Sequence, residues 1–471
     1  MPISLISPLD PEGIERIHAA SMAVLARTGI RFQSETALAA FKHHGFRVDG
    51  EIAFLSERQV WDALATVPRE ITIMARNPDY NLVLSAETAA FGLGRGAVTF
   101  VDPDGSFRRG SAADFIDTAK LAQQMALIQH WEPLIHPGDI PPANAELWAT
   151  KTMLEYLDKP YNYHSARHIE LVALAFGMTP REMAEKARGG LSFGQGTVTT
   201  LSPLTLSAHD LRQLFAYVAH GIAFHIAAMP LAGTTGPCTF AGLLVQQNCE
   251  NLAPLVLSQL LRPGTPVFYG SIASHADMVG MGPVFGSAEA RKFEYAGGQL
   301  ARHYGLLCRG NAGLTDSLGE DFQAGAEALL HILNVLGGSL NFLPGMGLLG
   351  SYLGASLAKV VLDAELIGYA RRYLTPIPVD EDHLALEVIQ AVGPGGEYIT
   401  HDHTLAHCRT EFTVSRIFNR QSYGDGSHHR SQGIIQVAHA KARAIIAEYR
   451  RPPLAPEIAK ALDAYVQTHS S

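Results

Sequence analysis

Short apolar, β-prone stretches alternate with longer stretches of helical periodicity over most of the chain. The candidate strands are 97–101, 127–134, 161–165, 190–194, 223–230, 266–270, 306–310 and 339–343. Helical segments follow at 113–125, 144–157, 208–220, 240–261, 288–303, 322–336 and 357–373. A strand that always returns through a helix pairs in parallel with its neighbours. Eight such units across roughly 280 residues predict an α/β fold of the (β/α)8 TIM barrel type. The rival with the same alternation, an open doubly wound sheet, calls for a Gly-rich phosphate turn after its first strand. Here Gly92, Gly94 and Gly96 come before the candidate strand and lack GxGxxG spacing, and no GxxxxGK[ST] occurs.

The flanks break the rhythm. Near the start, Asp10 can cap a helix with Pro11 at its first position, and Ile14, Ile17, Met22 and Leu25 recur at near-helical spacing. The predicted organisation is an N-terminal appendage of helices and short strands over 1–90, the barrel over 91–374, and a mainly helical C-terminal appendage over 375–471 packed on the barrel. This last part holds a polar YGDGSHHRSQG loop and an Ala-rich helix.

Composition narrows the function classes. Hydrophobic residues make up 47% and charged residues 17%, against a usual charged share of roughly 25%, so the chain can bury a large core. The net charge is -9 and no basic block occurs, which argues against a nucleic-acid partner. Four cysteines without CxxC spacing imply neither a disulfide framework nor a zinc ribbon. No basic leader precedes an apolar stretch and no run of 18 apolar residues occurs, so the expectation is a cytoplasmic protein that does not span a membrane. Glycine is in excess, 44 of 471 residues, or about 9% against a usual 7%.

In such a barrel the chemistry sits in the loops after the strands. Those loops hold aromatic and soft residues (Tyr163, Met229, Tyr269, Phe342, Met346, Tyr352), neutral hydrogen-bonding groups (Gln195, Thr234, Asn311) and acids (Asp277, Asp316). Without a convergent set of basic residues, this lining suits a neutral or cationic ligand, a quaternary ammonium group above all. The plainer reading of the same residues is packing. In HDHTLAH, His403 and His407 share a helical face and His401 stands two residues before, a zinc-like spacing. No HExxH or Cys pair accompanies them, so no metal is predicted. Ser356 and Lys359 spell SxxK without a KTG partner, which reads as chance.

Several stretches resemble the trimethylamine methyltransferase (MttB-type) superfamily, in its non-pyrrolysine branch. They are VDPDGSFRRGSAADFIDTAKLA, MPLAGTTGPCTFAG, PGTPVFYGS, QLARHYGLLCRGNAGLTDS with DFQAGAEA, SLAKVVLDAELIG and VGPGGEYITHDHTLAHCRTEF. The resemblance implies a (β/α)8 barrel with extra helices that transfers methyl groups from amines to the corrinoid of a partner protein, with no tightly bound cofactor of its own. The archetype carries pyrrolysine in the loop after the eighth strand. Here that position falls near Gly347, Leu348, Leu349 and Gly350, all ordinary residues. Loss of pyrrolysine argues against trimethylamine and leaves quaternary amines such as glycine betaine, proline betaine, carnitine or choline. The departing tertiary amine is neutral, so no general acid is required and no catalytic side chain is assigned. Position then suggests a cage of Tyr163, Tyr269 and Phe342, with charge from Asp316. Gln195, Asn311 and His403 would orient a carboxylate or hydroxyl. The expected partners are a corrinoid protein, a small quaternary amine and further copies of the chain. The alternatives are a metal-dependent barrel hydrolase or lyase using His401, His403 and His407, and a non-catalytic betaine-binding relative.

Overall fold

The computed structural model describes residues 7–163, 165–338, 340–412, 414, 415, 417–420 and 433–469. At its centre lies a curled seven-stranded sheet in which every neighbouring pair is parallel. Its strands are β1 (Ala90–Leu93), β2 (Ile128–His130), β3 (Gln195–Thr199), β4 (Ala223–Ala227), β5 (Val267–Gly270), β6 (Cys308–Arg309) and β7 (Phe342–Met346). Their spatial order is β3-β4-β5-β6-β7-β1-β2. Both edges reach toward one short segment: isolated parallel bridges join Trp131 to Tyr161 and Asn162 to Gln195.

Helices make each crossover. They are α1 (Ala112–Gln124), α2 (Pro142–Tyr156), α3 (Ile169–Ala175), α4 (Pro180–Lys186), α5 (Ala208–His220), α6 (Phe240–Leu261), α7 (Ala288–His303), α8 (Phe322–Gly337) and α9 (Leu357–Leu374). Most begin where the sequence supplies a side-chain acceptor for an orphan backbone N–H. Ser111, Ser207, Thr239, Ser287, Asp321 and Ser356 each take such a bond. Asp10 does the same for the helix Pro11–Arg27, accepting from the Gly13 N–H at 2.7 Å.

Two predicted strands fall elsewhere. Within 97–101, Thr99–Val101 is a strand, but it pairs with Phe107–Arg109 and Gly354–Ala355 in a separate small sheet, with DPDG as the hairpin turn. The first central strand is instead Ala90–Leu93, at the boundary assigned to the N-terminal appendage. Within 190–194, Leu191–Ser192 pairs with Ile71–Ile73, and the next residues, read as a loop, form β3. The stretch 161–165 is reduced to bridges at Tyr161 and Asn162, and its His164 lies outside the described residues, as do Ser339 and the YGDGSHHRSQG loop up to Gln432.

The sheet's N-terminal end is closed by apolar packing. Ile71, Ile73, Leu82 and Leu84, from a hairpin of the N-terminal segment, bury themselves with Ala90, Ala223, Phe268, Leu307 and Phe342. At the opposite end, loop strands such as Leu348–Leu349 and Ser274–Ala276 form a rim. The C-terminal helix Ile434–Ala447 packs on α9 and α1, and Pro456–His469 packs on α2 and α3. No helix among the described residues is long and apolar enough to cross a membrane.

Candidate active site

Successive side chains on a strand point to opposite faces. At the lower end Ala90, Ala223, Phe268, Leu307 and Phe342 meet inside the sheet. Two and four residues further along, the same parity carries His225, Ala227, Ile272, Arg309, Asn311, Pro344 and Gly94 onto the wall of a cavity of about 380 Å³ at the C-terminal end. Glu132, just past β2, joins them, as do Thr197 and Thr199 of β3, Arg95, Met229, Phe285, Leu348 and Tyr352.

Glycine makes room on β1. A Cβ on Gly92 would lie 2.2 Å from the His130 ring, and one on Gly94 would lie 2.2 Å from Leu348 Cγ. His130 stacks on Phe342 beneath the cavity, with ring centroids 3.8 Å apart. Gly92 and Gly94, which failed as a nucleotide fingerprint, let neighbouring side chains fill the interior.

The charges here are few and buried. Glu132 is 3% exposed and accepts a hydrogen bond from Asn162 Nδ2 at 3.2 Å. Arg309 is 7% exposed, and its Nε is buried without a partner. Arg95, half-buried, has one long contact, Nη1 to Thr197 Oγ1 at 3.4 Å. Gln195 Nε2 lies 2.5 Å from His225 Nδ1, so the amide donates and any ring proton sits on Nε2. Burial, then the positive charges of Arg309 and Arg95, hold His225 well below the usual histidine range, so it is neutral near pH 7. Burial also pushes the Tyr352 hydroxyl up to about 12, and its ring meets Phe285 edge-on at 4.9 Å.

The sequence-predicted site residues divide by position. Asn311 lines the cavity, with Oδ1 buried and unpartnered and its backbone N–H on Glu294 Oε1 at 2.7 Å. Leu348, in the Gly347–Gly350 loop, also lines it, as do Met229 and Tyr352. Gln195 and Asp316 stand one layer back. Gln195 holds His225. Asp316 accepts from the Phe285 and Gly286 N–H groups at 2.8 and 2.7 Å and from Ser351 Oγ.

The expected aromatic cage does not form. Tyr163 and Tyr269 have the outward parity: Tyr163 packs on Tyr161 and Tyr217 and donates to the Phe193 carbonyl, while Tyr269 donates to Asn248 Oδ1 on α6. Phe342 points inward but at the closed end. His403 lies in the C-terminal segment, away from the cavity lining, against His407 at 4.3 Å between ring centroids. His401 caps that short helix through Nδ1, so the three histidines do not converge as a ligand set. Among the described residues the ligand atoms that do gather are those of His383, His407 and Glu411, within 4.8 Å of one another.

The sequence reading left out Arg95, Glu132 and Arg309 and expected no convergent set of basic residues, whereas Arg95 and Arg309 both line the cavity. Parity was the available signal, since Arg309 stands two residues before Asn311, which lines the same cavity.

The whole chain, residues 1–471, matches the family model described as trimethylamine methyltransferase (MTTB). A glycine betaine methyltransferase of Desulfitobacterium hafniense (strain Y51) is 33% identical over 468 residues, 97% of this chain and 96% of that protein. A proline betaine:corrinoid methyltransferase of Eubacterium limosum is 27% identical, covering 87% of this chain and 86% of its own. Among solved structures, the monomethylamine methyltransferase MtmB of Methanosarcina barkeri superposes with a TM-score of 0.51 over 98% of this chain and 88% of its own, at 11% identity, a likeness of fold alone. Matched from end to end and a third identical to a full-length relative, the chain belongs to the trimethylamine methyltransferase family, and it is a methyltransferase.

Proposed function

We propose that the protein transfers a methyl group from a quaternary amine to the Co(I) corrinoid of a partner protein, in the cytoplasm, holding no tightly bound cofactor of its own. The observation that carries this reading is the buried Glu132 carboxylate in a small cavity at the C-terminal ends of the strands, where barrel enzymes keep their active sites. The names of the two relatives, a glycine betaine and a proline betaine:corrinoid methyltransferase, support the same substrate class. With the bridges at Tyr161 and Asn162 counted as an eighth stave, the sheet reads as a closed (β/α)8 barrel. The proposed division is an N-terminal appendage to about residue 90, the barrel to 374, and the C-terminal appendage beyond.

The cavity's side chains suit this reaction. Glu132 attracts the ammonium, and the faces of Phe285 and Tyr352 add about 0.5 to 2 kcal/mol each where a methylated nitrogen reaches them. Ile272, Pro344 and Leu348 keep water from the nitrogen. In the transfer the methyl carbon bonds to cobalt, the C–N electron pair stays on nitrogen, and a neutral tertiary amine leaves. No proton is needed, which fits a cavity whose histidine is neutral and whose tyrosine stays protonated. Orientation and exclusion of water then lower the barrier. Self-association belongs to the same proposal, because Ile377, Val379, Leu405, Phe412 and Val414 are all more than 70% exposed.

The test is methylation of a reduced corrinoid protein with a panel of glycine betaine, proline betaine, carnitine and choline, followed by the cobalt absorption spectrum. Methyl-cobalt formation with at least one is expected, and none with any rejects the reading. Elution of the purified protein at monomer mass rejects self-association.

A further inference from the structure

The cavity holds a charge that a simple quaternary ammonium leaves unanswered. Arg309 reaches its wall from β6, and the buried Nε finds no acceptor. Glu132 lines the same cavity with a neutral amide as its hydrogen-bond partner. No ion pair joins either side chain to another described residue. Keeping one unpaired charge out of water is strongly unfavourable. Two charges of opposite sign on one small cavity, not paired with each other, are the complement of a ligand carrying both signs.

Resting on the quaternary-amine reading above, we propose that Arg309, assisted by Arg95, binds the carboxylate of a zwitterionic substrate and so selects betaines over cationic amines without a carboxylate. A guanidinium presents parallel N–H donors that match both oxygens of a carboxylate. Arg95, whose one hydrogen bond among the described residues is the long contact to Thr197, can turn to the same group. The ammonium end lies toward Glu132 and the rings of Phe285 and Tyr352. Neutral His225, on the same cavity wall, brings no charge that competes for either end. Attachment at two points also fixes which N-methyl group faces the open end. Choline offers a hydroxyl where the carboxylate would sit and leaves Arg309 unpaired, and a buried group left without its partner is a strong basis for rejection.

The experiment is titration calorimetry of the full chain with glycine betaine, carnitine and choline, on the wild type and on Arg309→Gln and Arg309→Lys. The wild type is expected to bind glycine betaine at least ~10-fold more tightly than choline. Arg309→Gln should weaken glycine betaine by about 10- to 100-fold while choline binds more tightly than to the wild type, and Arg309→Lys should recover part of the betaine loss. Because Arg309→Gln removes an unpaired buried charge, its Tm should equal or exceed that of the wild type. If it unfolds nevertheless, the wild-type preference and Arg95→Gln decide the matter. Equal wild-type affinity for glycine betaine and choline, or undiminished betaine binding by Arg309→Gln, overturns the clamp while leaving the quaternary-amine reading intact. Failure of all three amines to bind or to lose a methyl group overturns both.

Discussion

The alternation of a strand decides which of two neighbouring side chains meets the ligand. Tyr269 sits between Phe268 and Gly270, and Tyr163 follows Asn162; in each case the inward position belongs to the neighbour. Arg309 and Asn311 share the inward parity and frame the cavity together. Gly94, on the same parity of β1, is required by Leu348, the residue of the Gly347–Gly350 loop that lines the cavity. Gly94→Ala should therefore drive its methyl group into Leu348, cost about 1 to 3 kcal/mol of stability and reduce methyl transfer. In Gly94→Ala/Leu348→Ala the clash is gone, so stability should recover beyond the sum of the two single changes. Strictly additive denaturation energies would show that the two side chains do not meet. Asn311 was legible in the sequence because it is polar and close behind an apolar strand. The cage was not, because an aromatic side chain at a strand end looks the same whether it faces a ligand or a helix.

At the scale of elements, the alternation of parallel strand and helix was legible in the sequence, but not which short β stretch enters the seven-stranded central sheet. Thr99–Val101 and Leu191–Ser192 are real strands, and they pair in accessory sheets. Ala90–Leu93, AFGL, carries a glycine that weakens its local strand signal, and only the contact with His130 explains that glycine. A similar lesson holds for the SxxK pattern, which has a structural role. Ser356 caps α9, and buried Lys359 donates to the Gly313 carbonyl at 2.7 Å and pairs with Asp363, which accepts the Gly347 N–H at 2.9 Å. One helical turn thus ties the loops after β6 and β7 together. Asp363→Ala should strip Lys359 of its counter-charge and cost about 3 to 5 kcal/mol, read by denaturant unfolding. Lys359→Met/Asp363→Leu should recover most of that stability yet lower methyl transfer, because Gly347 has lost its acceptor. A double variant as active as the wild type would mean that the anchor does not position the loop.

For the whole molecule, the low charge and the large apolar share already spoke for an extensive core, and the core includes titratable groups. Among the histidines, burial pushes His130 down to about 3, His331 to about 4, and His225 well below its ordinary value. All three are therefore neutral in the folded protein near pH 7, while in the unfolded chain each titrates near 6.5. Their folded pKa values lie below the unfolded ones, so the unfolded state binds more protons in the interval between, and stability rises with pH there. The contribution is fully present above about pH 6.5 and is lost progressively as the pH falls toward 4. Each histidine is worth about 1.4 kcal/mol per pH unit in that window, so the three together approach about 4 kcal/mol per unit around pH 5. Denaturant midpoints measured from pH 8 to 4.5 should stay nearly level down to about 6.5 and then fall steeply. His130, stacked on Phe342 under the cavity, and His225, in its wall, stay neutral in the folded protein over the same interval, so substrate binding to the folded fraction should hold level while stability falls. A midpoint that stays level to pH 5 would mean that these imidazoles find a proton acceptor in the folded state.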